Sequence, residues 1–250
     1  MTPALRTVGL SKRWGAFRAN DGIDFTLPPG ARHALIGPNG AGKTTFVNLL
    51  VGTYAPTAGE VFLGDENVTR LPQHLRVKRG MTRTFQINTL FPGLTVLESV
   101  VLAVLERSGA GGHWLGTVAK RDGEIAEAHA LLAALRLEGE ANTVTRSLPY
   151  GKQRLVEIAL ALATKPKILL LDEPAAGIPS SESAELFEVL ATLPADVSIL
   201  LIEHDMNLVF RFAQRITVLV DGKVLMEGTP SEIAADSRVK EVYLGETQHG

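Results

Sequence analysis

The sequence of 250 residues contains no cysteine. Disulfides and thiolate-ligated metals are therefore excluded, and the absence fits a reducing compartment. Charge of one sign is missing too: 25 Lys and Arg face 27 Asp and Glu, for a formal net charge of −2 and an isoelectric point near 6.3. A general nucleic-acid binder would carry a basic excess or stripe, so no nucleic-acid partner is expected. Long hydrophobic runs are absent as well. Candidates such as Ile168 to Leu171 and Val197 to Ile202 are strand-length, whereas a bilayer span needs about 20 apolar residues. Met1 to Trp14 lacks the apolar segment of a secretory leader. These absences together predict a soluble protein whose association with any membrane passes through a partner. No internal repeat and no charged tail stand out.

What the chain does contain is Gly37-Pro38-Asn39-Gly40-Ala41-Gly42-Lys43-Thr44, which fits G-x-x-x-x-G-K-[ST] in full. The glycines let the backbone turn with positive φ and bring successive N–H groups close to phosphate oxygens. Lys43 adds a positive charge for the β and γ phosphates, and the Thr44 hydroxyl is placed for Mg²⁺. The flanks agree with that reading. His33 to Ile36 reads as a short buried strand, and Thr45 to Leu50 carries apolar residues at helical spacing, so a helix N-terminus adds its dipole to the anion site, with Thr45 in its first turn.

Strand signals at Asp24–Leu27, Arg32–Ile36 and Gly59–Leu63 surround this loop, with Pro28-Pro29-Gly30 as a turn. From about Thr95 to Leu137 the character becomes helical: Thr95-Val96-Leu97-Glu98 is a capping-box sequence, and Ile125, Ala128, Leu132 and Leu135 recur at helical spacing. Ser108 to Gly116, with Gly109, Gly111, Gly112 and Gly116, reads as a mobile loop. Alternation then resumes. Helices are expected at Lys152–Thr164, Ser181–Leu193 and Met206–Phe212, and strands at Ile168–Leu171, Val197–Ile202 and Ile216–Val220, a pattern of parallel βαβ packing.

Two strand ends carry chemistry. Ile168 to Leu171 runs into Asp172-Glu173-Pro174, which would deliver acids to the carboxyl edge of the sheet, where open α/β sheets bind ligands. Asp172 suits the Mg²⁺ shell, and Glu173 suits a general base acting on the attacking water. Ile202-Glu203-His204-Asp205 ends another apolar strand, which opens on the same edge and lets His204 orient the γ-phosphate or the water, with Glu203 or Asp205 beside it. The other five histidines read as structural or exposed.

Taken in order, these motifs resemble the ATP-binding-cassette (ABC) ATPases over essentially the whole chain. Gln86, after Thr82-Arg83-Thr84-Phe85, is similar to their glutamine loop, and Leu148-Pro149-Tyr150-Gly151-Lys152 occupies their signature position. The runs through Gln153-Arg154, Asp172 to Gly177, Glu203 to Met206 and Tyr243-Leu244-Gly245-Glu246 look like the ATPase subunits of branched-chain amino-acid importers. The resemblance implies a P-loop α/β core with a mostly parallel sheet, an N-terminal antiparallel β subdomain and an α-helical subdomain inserted at 87–150, all within one nucleotide-binding domain of 1–250. It implies ATP and Mg²⁺ as cofactors.

The resemblance also assigns residues. Trp14 would stack on adenine, and Gln86 would contact Mg²⁺ or the water and relay nucleotide state to a membrane partner. Leu90, Phe91 and Leu94 would either line a docking groove or fill the subdomain core. Two copies would sandwich ATP head to tail, with Tyr150 and Gly151 of one facing the phosphate loop of the other, and the Gly151 N–H is expected to be free for a phosphate. Pro149 replaces the common family serine and has neither hydroxyl nor N–H, and Tyr150 replaces a common glycine. The implied partners are a second ATPase subunit, two transmembrane permeases and, indirectly, an extracytoplasmic solute-binding protein. The implied location is the inner face of the cell membrane. Branched-chain amino acids lead as solute, with urea, other amides and aromatic acids open. A catalytically impaired, nucleotide-gated scaffold is the rival. Repair and translation ATPases of the superfamily fit less well, because this chain has neither a long coiled-coil insertion nor a second cassette.

Overall fold

A computed structural model describes residues 2–84, 91–109 and 121–246, the side chains of 244–246 excepted. The chain divides into two compact units, one of residues 1–82, 167–173 and 195–250, the other of residues 83–166 and 174–194.

The first unit holds two sheets. In the antiparallel one, β1 (Leu5–Trp14) lies between β2 (Phe17–Leu27) and β4 (Ala58–Leu63), with the short β5 (Glu66–Asn67) beyond β4. The sequence pattern reveals only the end of β2 and none of β1. Gly9, at φ 56°, and register shifts after Thr7 and Leu10 break the alternation of β1, so no clean period of two survives to be read.

The second sheet has the order β10-β9-β3-β8-β7-β6. Its strands are β3 (Arg32–Ile36), β6 (Met81–Arg83), β7 (Ile168–Asp172), β8 (Ser198–Ile202), β9 (Arg215–Val220) and β10 (Lys223–Gly228). β3 pairs in parallel with β8 and β9, and β7 with β8. Successive side chains of β3 feed opposite cores: Leu35 joins Phe46, Leu50, Leu170 and Leu200, whereas Ala34 and Ile36 join Val209, Ile216 and Ile233. Burial on both faces explains the unbroken apolar runs Ala34–Ile36, Ile168–Leu171 and Ile199–Ile202 within β3, β7 and β8. β10 is antiparallel to β9 through a turn at Asp221 (φ 48°) and Gly222 (φ 75°). The strand signal in the sequence stops at Val220, because β10 alternates poorly and is only half buried.

Helix α1 (Lys43–Val51) starts at Gly42 (φ 95°) and stops at Gly52 (φ 82°). Its last carbonyls meet a buried cation. Arg76, in α2 (Gln73–Lys78), is 1% exposed and donates to the carbonyls of Leu49, Leu50, Leu71 and Thr69. A guanidinium at a helix C-terminus satisfies orphan carbonyls and complements the dipole.

The second unit is helical. It contains α3 (Val96–Arg107), α4 (Asp122–Ala134), α5 (Tyr150–Ala163) and α6 (Ser180–Ala191), with 3-10 turns at Glu138–Glu140 and Thr145–Ser147. The expected capping box forms: Thr95 Oγ1 accepts the Glu98 N–H, and the Glu98 carboxylate accepts the Thr95 N–H at 2.7 Å. Arg107 ties three helices together, with both terminal nitrogens on the Glu127 carboxylate at 2.7 Å and one also on the Ala163 carbonyl that ends α5. The glycine-rich loop expected at Ser108–Gly116 lies outside the described residues beyond Gly109.

The helix expected from Lys152 begins at Tyr150, with Pro149 as its N-cap. The fixed φ of proline suits the entry, so Tyr150 and Gly151 sit in the first turn instead of in a preceding loop. The remaining helices, α7 (Met206–Phe212), α8 (Pro230–Ala235) and α9 (Ser237–Glu246), belong to the first unit.

Candidate active site

Register on the parallel sheet brings the chemistry to one edge. Leu35 of β3 and Asp172 of β7 both pair with Ile202 of β8. The loop Gly37–Gly42 after β3, the pair of Asp172, the last residue of β7, and Glu173, and Glu203-His204 after β8 therefore lie at the carboxyl ends of three adjacent strands.

The loop is built from backbone that side chains would spoil. A Cβ on Gly37 would lie 2.1 Å from the Leu219 carbonyl oxygen, and one on Gly42 would lie 2.3 Å from that of Ala19. Gly42 closes the turn and leads directly into α1, so the first amides of the helix belong to the loop. Lys43 folds back, its ammonium donating to the carbonyls of Gly37 and Pro38. The loop is also supported from behind: Gly222 donates to the Ala41 carbonyl at 3.1 Å, and Asp21 donates to the Gly222 carbonyl at 2.9 Å.

Glu173 is exposed and has φ 47°, a left-handed backbone conformation costly for a glutamate. Its N–H donates to the Ile202 carbonyl at 2.9 Å, which couples the end of β7 to β8. Glu203 and His204 contrast in burial. The Glu203 carboxylate, fully buried, accepts the His204 N–H at 2.8 Å and lies 3.4 Å from His204 Nδ1, while the imidazole is 68% exposed. Asp205 is occupied otherwise: it N-caps α7, accepting the Asn207 N–H at 2.9 Å. Of the two neighbours expected for His204, Glu203 is the one its imidazole approaches.

Thr44 is exposed and Asp172 half-buried. A hydroxyl and a carboxylate are the hard oxygen donors that Mg²⁺ prefers, and they leave room for phosphate oxygens and waters. Gln86, expected as a third ligand and as a catalytic residue, and Leu90 lie outside the described residues. Trp14, at the end of β1, is 48% exposed, with Tyr54 at its edge (centroids 5.2 Å apart) and Lys12 Nζ 4.3 Å from its ring centroid. A cation thus occupies one side of an aromatic surface that remains half open.

In the helical unit, the expectation of a free Gly151 N–H is corrected. That amide donates to Glu182 Oε2 of α6 at 3.2 Å. Pro149 gives α5 no side-chain cap, so a carboxylate settles on the positive end of the helix. Tyr150 is half exposed, its ring accommodated beside Gly177 (φ 76°), where a side chain would reach within 3.6 Å of the ring. Arg154 stacks near the same ring at 5.4 Å and pairs with buried Glu157 at 2.9 Å. Phe91 is exposed and Leu94 half-buried.

Sequence reasoning missed one buried residue behind the loop, Asn20, while His33 is buried as the strand reading of His33 to Ile36 expects. Asn20, 0% exposed in β2, donates from Nδ2 to the Gly42 carbonyl at 3.2 Å. His33 Nε2 lies 2.8 Å from Thr217 Oγ1, which donates onward to Glu227 at 3.3 Å. Asn20 looks ordinary in the sequence, since only tertiary packing buries it.

Glycine-rich loop, parallel sheet and carboxyl-edge acids together define the class as a P-loop nucleoside-triphosphatase cassette. The ABC transporter family model matches residues 20–176, and a model of the branched-chain amino acid ATP-binding cassette transporter matches residues 223–249. The high-affinity branched-chain amino acid transport ATP-binding protein LivG of Escherichia coli K12 is 40% identical over 98% of both chains, and BraF of Pseudomonas aeruginosa is 38% identical over the same share. An ABC-transporter cassette crystallised in its ADP conformation superposes with a TM-score of 0.85 at 28% identity, covering 98% of this chain and 100% of that one. A dimeric bacterial ABC cassette follows at 0.73, 27% identical over 90% of this chain and 98% of that one. The chain belongs to the ABC transporter family, as an ATP-binding subunit with ATPase activity.

Proposed function

We propose that this subunit hydrolyses Mg·ATP to drive import of branched-chain amino acids through partner permeases. The observation that carries the reading is the convergence of the phosphate loop, Asp172-Glu173 and His204 on one edge of the parallel sheet. Amides and side chains from Gly37 to Thr45 cradle the phosphates, and Lys43 leaves its loop carbonyls for the β and γ oxygens. Trp14 takes the adenine on its open face. Thr44 and Asp172 would hold Mg²⁺, with Gln86 the further ligand that the family resemblance implies, and the ion would neutralise charge on the β and γ phosphates. Glu173 accepts a proton from the attacking water, and His204, oriented by Glu203, keeps that water and the γ-phosphate in line.

A second cassette completes the site with its Tyr150 and Gly151, a reading supported by the dimeric relative. Two permeases dock on the helices inserted at 87–150, where exposed Phe91 offers an apolar contact. They hold the subunit at the inner face of the membrane; among the described residues no helix is long and apolar enough to cross it. A solute-binding protein acts on the far side. The amino-acid substrate rests on the LivG and BraF relatives.

The test is Glu173→Gln. Turnover should fall at least about 100-fold while ATP binding persists, and a variant that hydrolyses at the wild-type rate overturns the assignment of the base. Uptake of labelled leucine by cells expressing the subunit with its permeases tests the solute, and transport of urea, an amide or an aromatic acid in its place redirects it. The occupied Gly151 amide favours one rival, a nucleotide-gated scaffold without turnover. Steady-state ATPase activity of the assembled complex at background level would establish that rival.

A further inference from the structure

We infer that Asn20 is a positioning residue for ATP, retained at a cost to stability because its amide fixes the turn through which the phosphate loop enters α1. The side chain is fully buried, and only half of its amide is satisfied: Nδ2 donates to the Gly42 carbonyl, while Oδ1 has no partner. Turning the amide over would face Oδ1 to the Gly42 oxygen and leave two acceptors opposed, so the orientation follows from the carbonyl. A buried strand position with an orphaned acceptor is one that an apolar residue would fill more favourably. Folding alone therefore gives no reason for asparagine.

The carbonyl it holds is the first of α1. The Gly42 oxygen also accepts the Phe46 N–H at 2.9 Å, so it sets the direction of the first helical turn and of the amides from Lys43 onward. Gly42 itself sits at φ 95° with no room for a side chain against Ala19 and Asn20. Asn20, bonded to Gly42, and the Gly222 turn, which packs against Ala19–Asn20 and bonds to Ala41, hold the loop at two successive residues. Asn20 is fully buried in β2 and its amide reaches only the Gly42 carbonyl. It acts through Gly42.

This inference rests on the loop being the ATP phosphate cradle, and the experiment separates the two. On the full chain, Asn20→Leu should leave the melting temperature equal to or above wild type, raise KM for ATP at least about fivefold and change kcat less than about twofold. Asn20→Ala should show the same split of KM against kcat if leucine does not fit. Either variant with an unchanged KM overturns the inference, as does a fall in melting temperature in both, which would make Asn20 an ordinary structural anchor. Lys43→Ala is the control: if it binds ATP like wild type, the cradle reading itself fails; if it loses ATP while Asn20→Leu keeps it, only the role of Asn20 falls.

Discussion

Replacing Arg76 by methionine removes the guanidinium that bonds the last carbonyls of α1. That group is 1% exposed, and burial pulls its pKa from the ordinary arginine range down to about 10. The shift corresponds to a desolvation cost of about 3 kcal/mol. Against it stand hydrogen bonds to four carbonyls, Leu49, Leu50, Leu71 and Thr69, each charge-assisted and worth about 1.5–3 kcal/mol. The balance favours keeping the arginine by several kcal/mol. A buried ion pair can often be exchanged for apolar residues without loss, but here the partners are backbone oxygens that no substitution removes. Arg76→Met should therefore cost about 3–5 kcal/mol, and at about 2–4 °C per kcal/mol for a chain of this size should lower the melting temperature by about 10 °C. Urea denaturation at pH 7, followed by circular dichroism, measures it. A loss below about 1 kcal/mol would refute the reasoning, because it would mean that the four carbonyls find other donors.

Other consequences can be measured on the same purified chain. Thr217 donates to Glu227, so His33 donates to Thr217 through Nε2 and its Nδ1, buried without a partner, has no acceptor for a second proton. Burial is the first cause that holds its pKa down, to about 4. Above pH 6.5 neither state is protonated and nothing is lost; as pH falls from 6.5 to about 4 the unfolded chain takes up a proton that the folded one refuses, and stability drops. Wild type should lose about 2 kcal/mol more than His33→Leu between pH 7 and pH 5, and equal losses in urea titrations would exclude His33. Glu182→Gln keeps an acceptor for the Gly151 amide but removes the charge that, in the proposed dimer, would compete with a phosphate there. In a Glu173→Gln background, the ATP concentration for half-maximal dimerisation should fall about threefold, as a helix N-terminus contributes about 0.3–1 kcal/mol to an anion. Light scattering reads this, and an unchanged midpoint would show that Glu182 does not compete.

How far the sequence can be read depends on the kind of signal. The phosphate loop stands out because glycine, lysine and threonine at fixed spacing have few other uses. β3, β7 and β8 stand out because strands buried on both faces carry short apolar runs, Ala34–Ile36, Ile168–Leu171 and Ile199–Ile202. β1 and β10 do not, because a bulge at Gly9 and partial exposure of β10 erase periodicity. The signature helix begins two residues earlier than its pattern suggests because Pro149, a helix breaker in the interior, serves as an N-cap at the start.

Residue order alone determined the cradle, the acids at strand ends and the family, since each is written in contiguous residues whose spacing the backbone preserves. Only the tertiary structure decided what lies behind and across from them. Parallel register brought Asp172, Glu173 and His204 to the edge of the phosphate loop. Packing buried Asn20 against Gly42, placed Arg76 under α1 and set Glu182 on the Gly151 amide. Those pairs are 22, 26 and 31 residues apart in sequence, and no local pattern encodes a hydrogen bond between groups whose meeting depends on how sheets and helices pack.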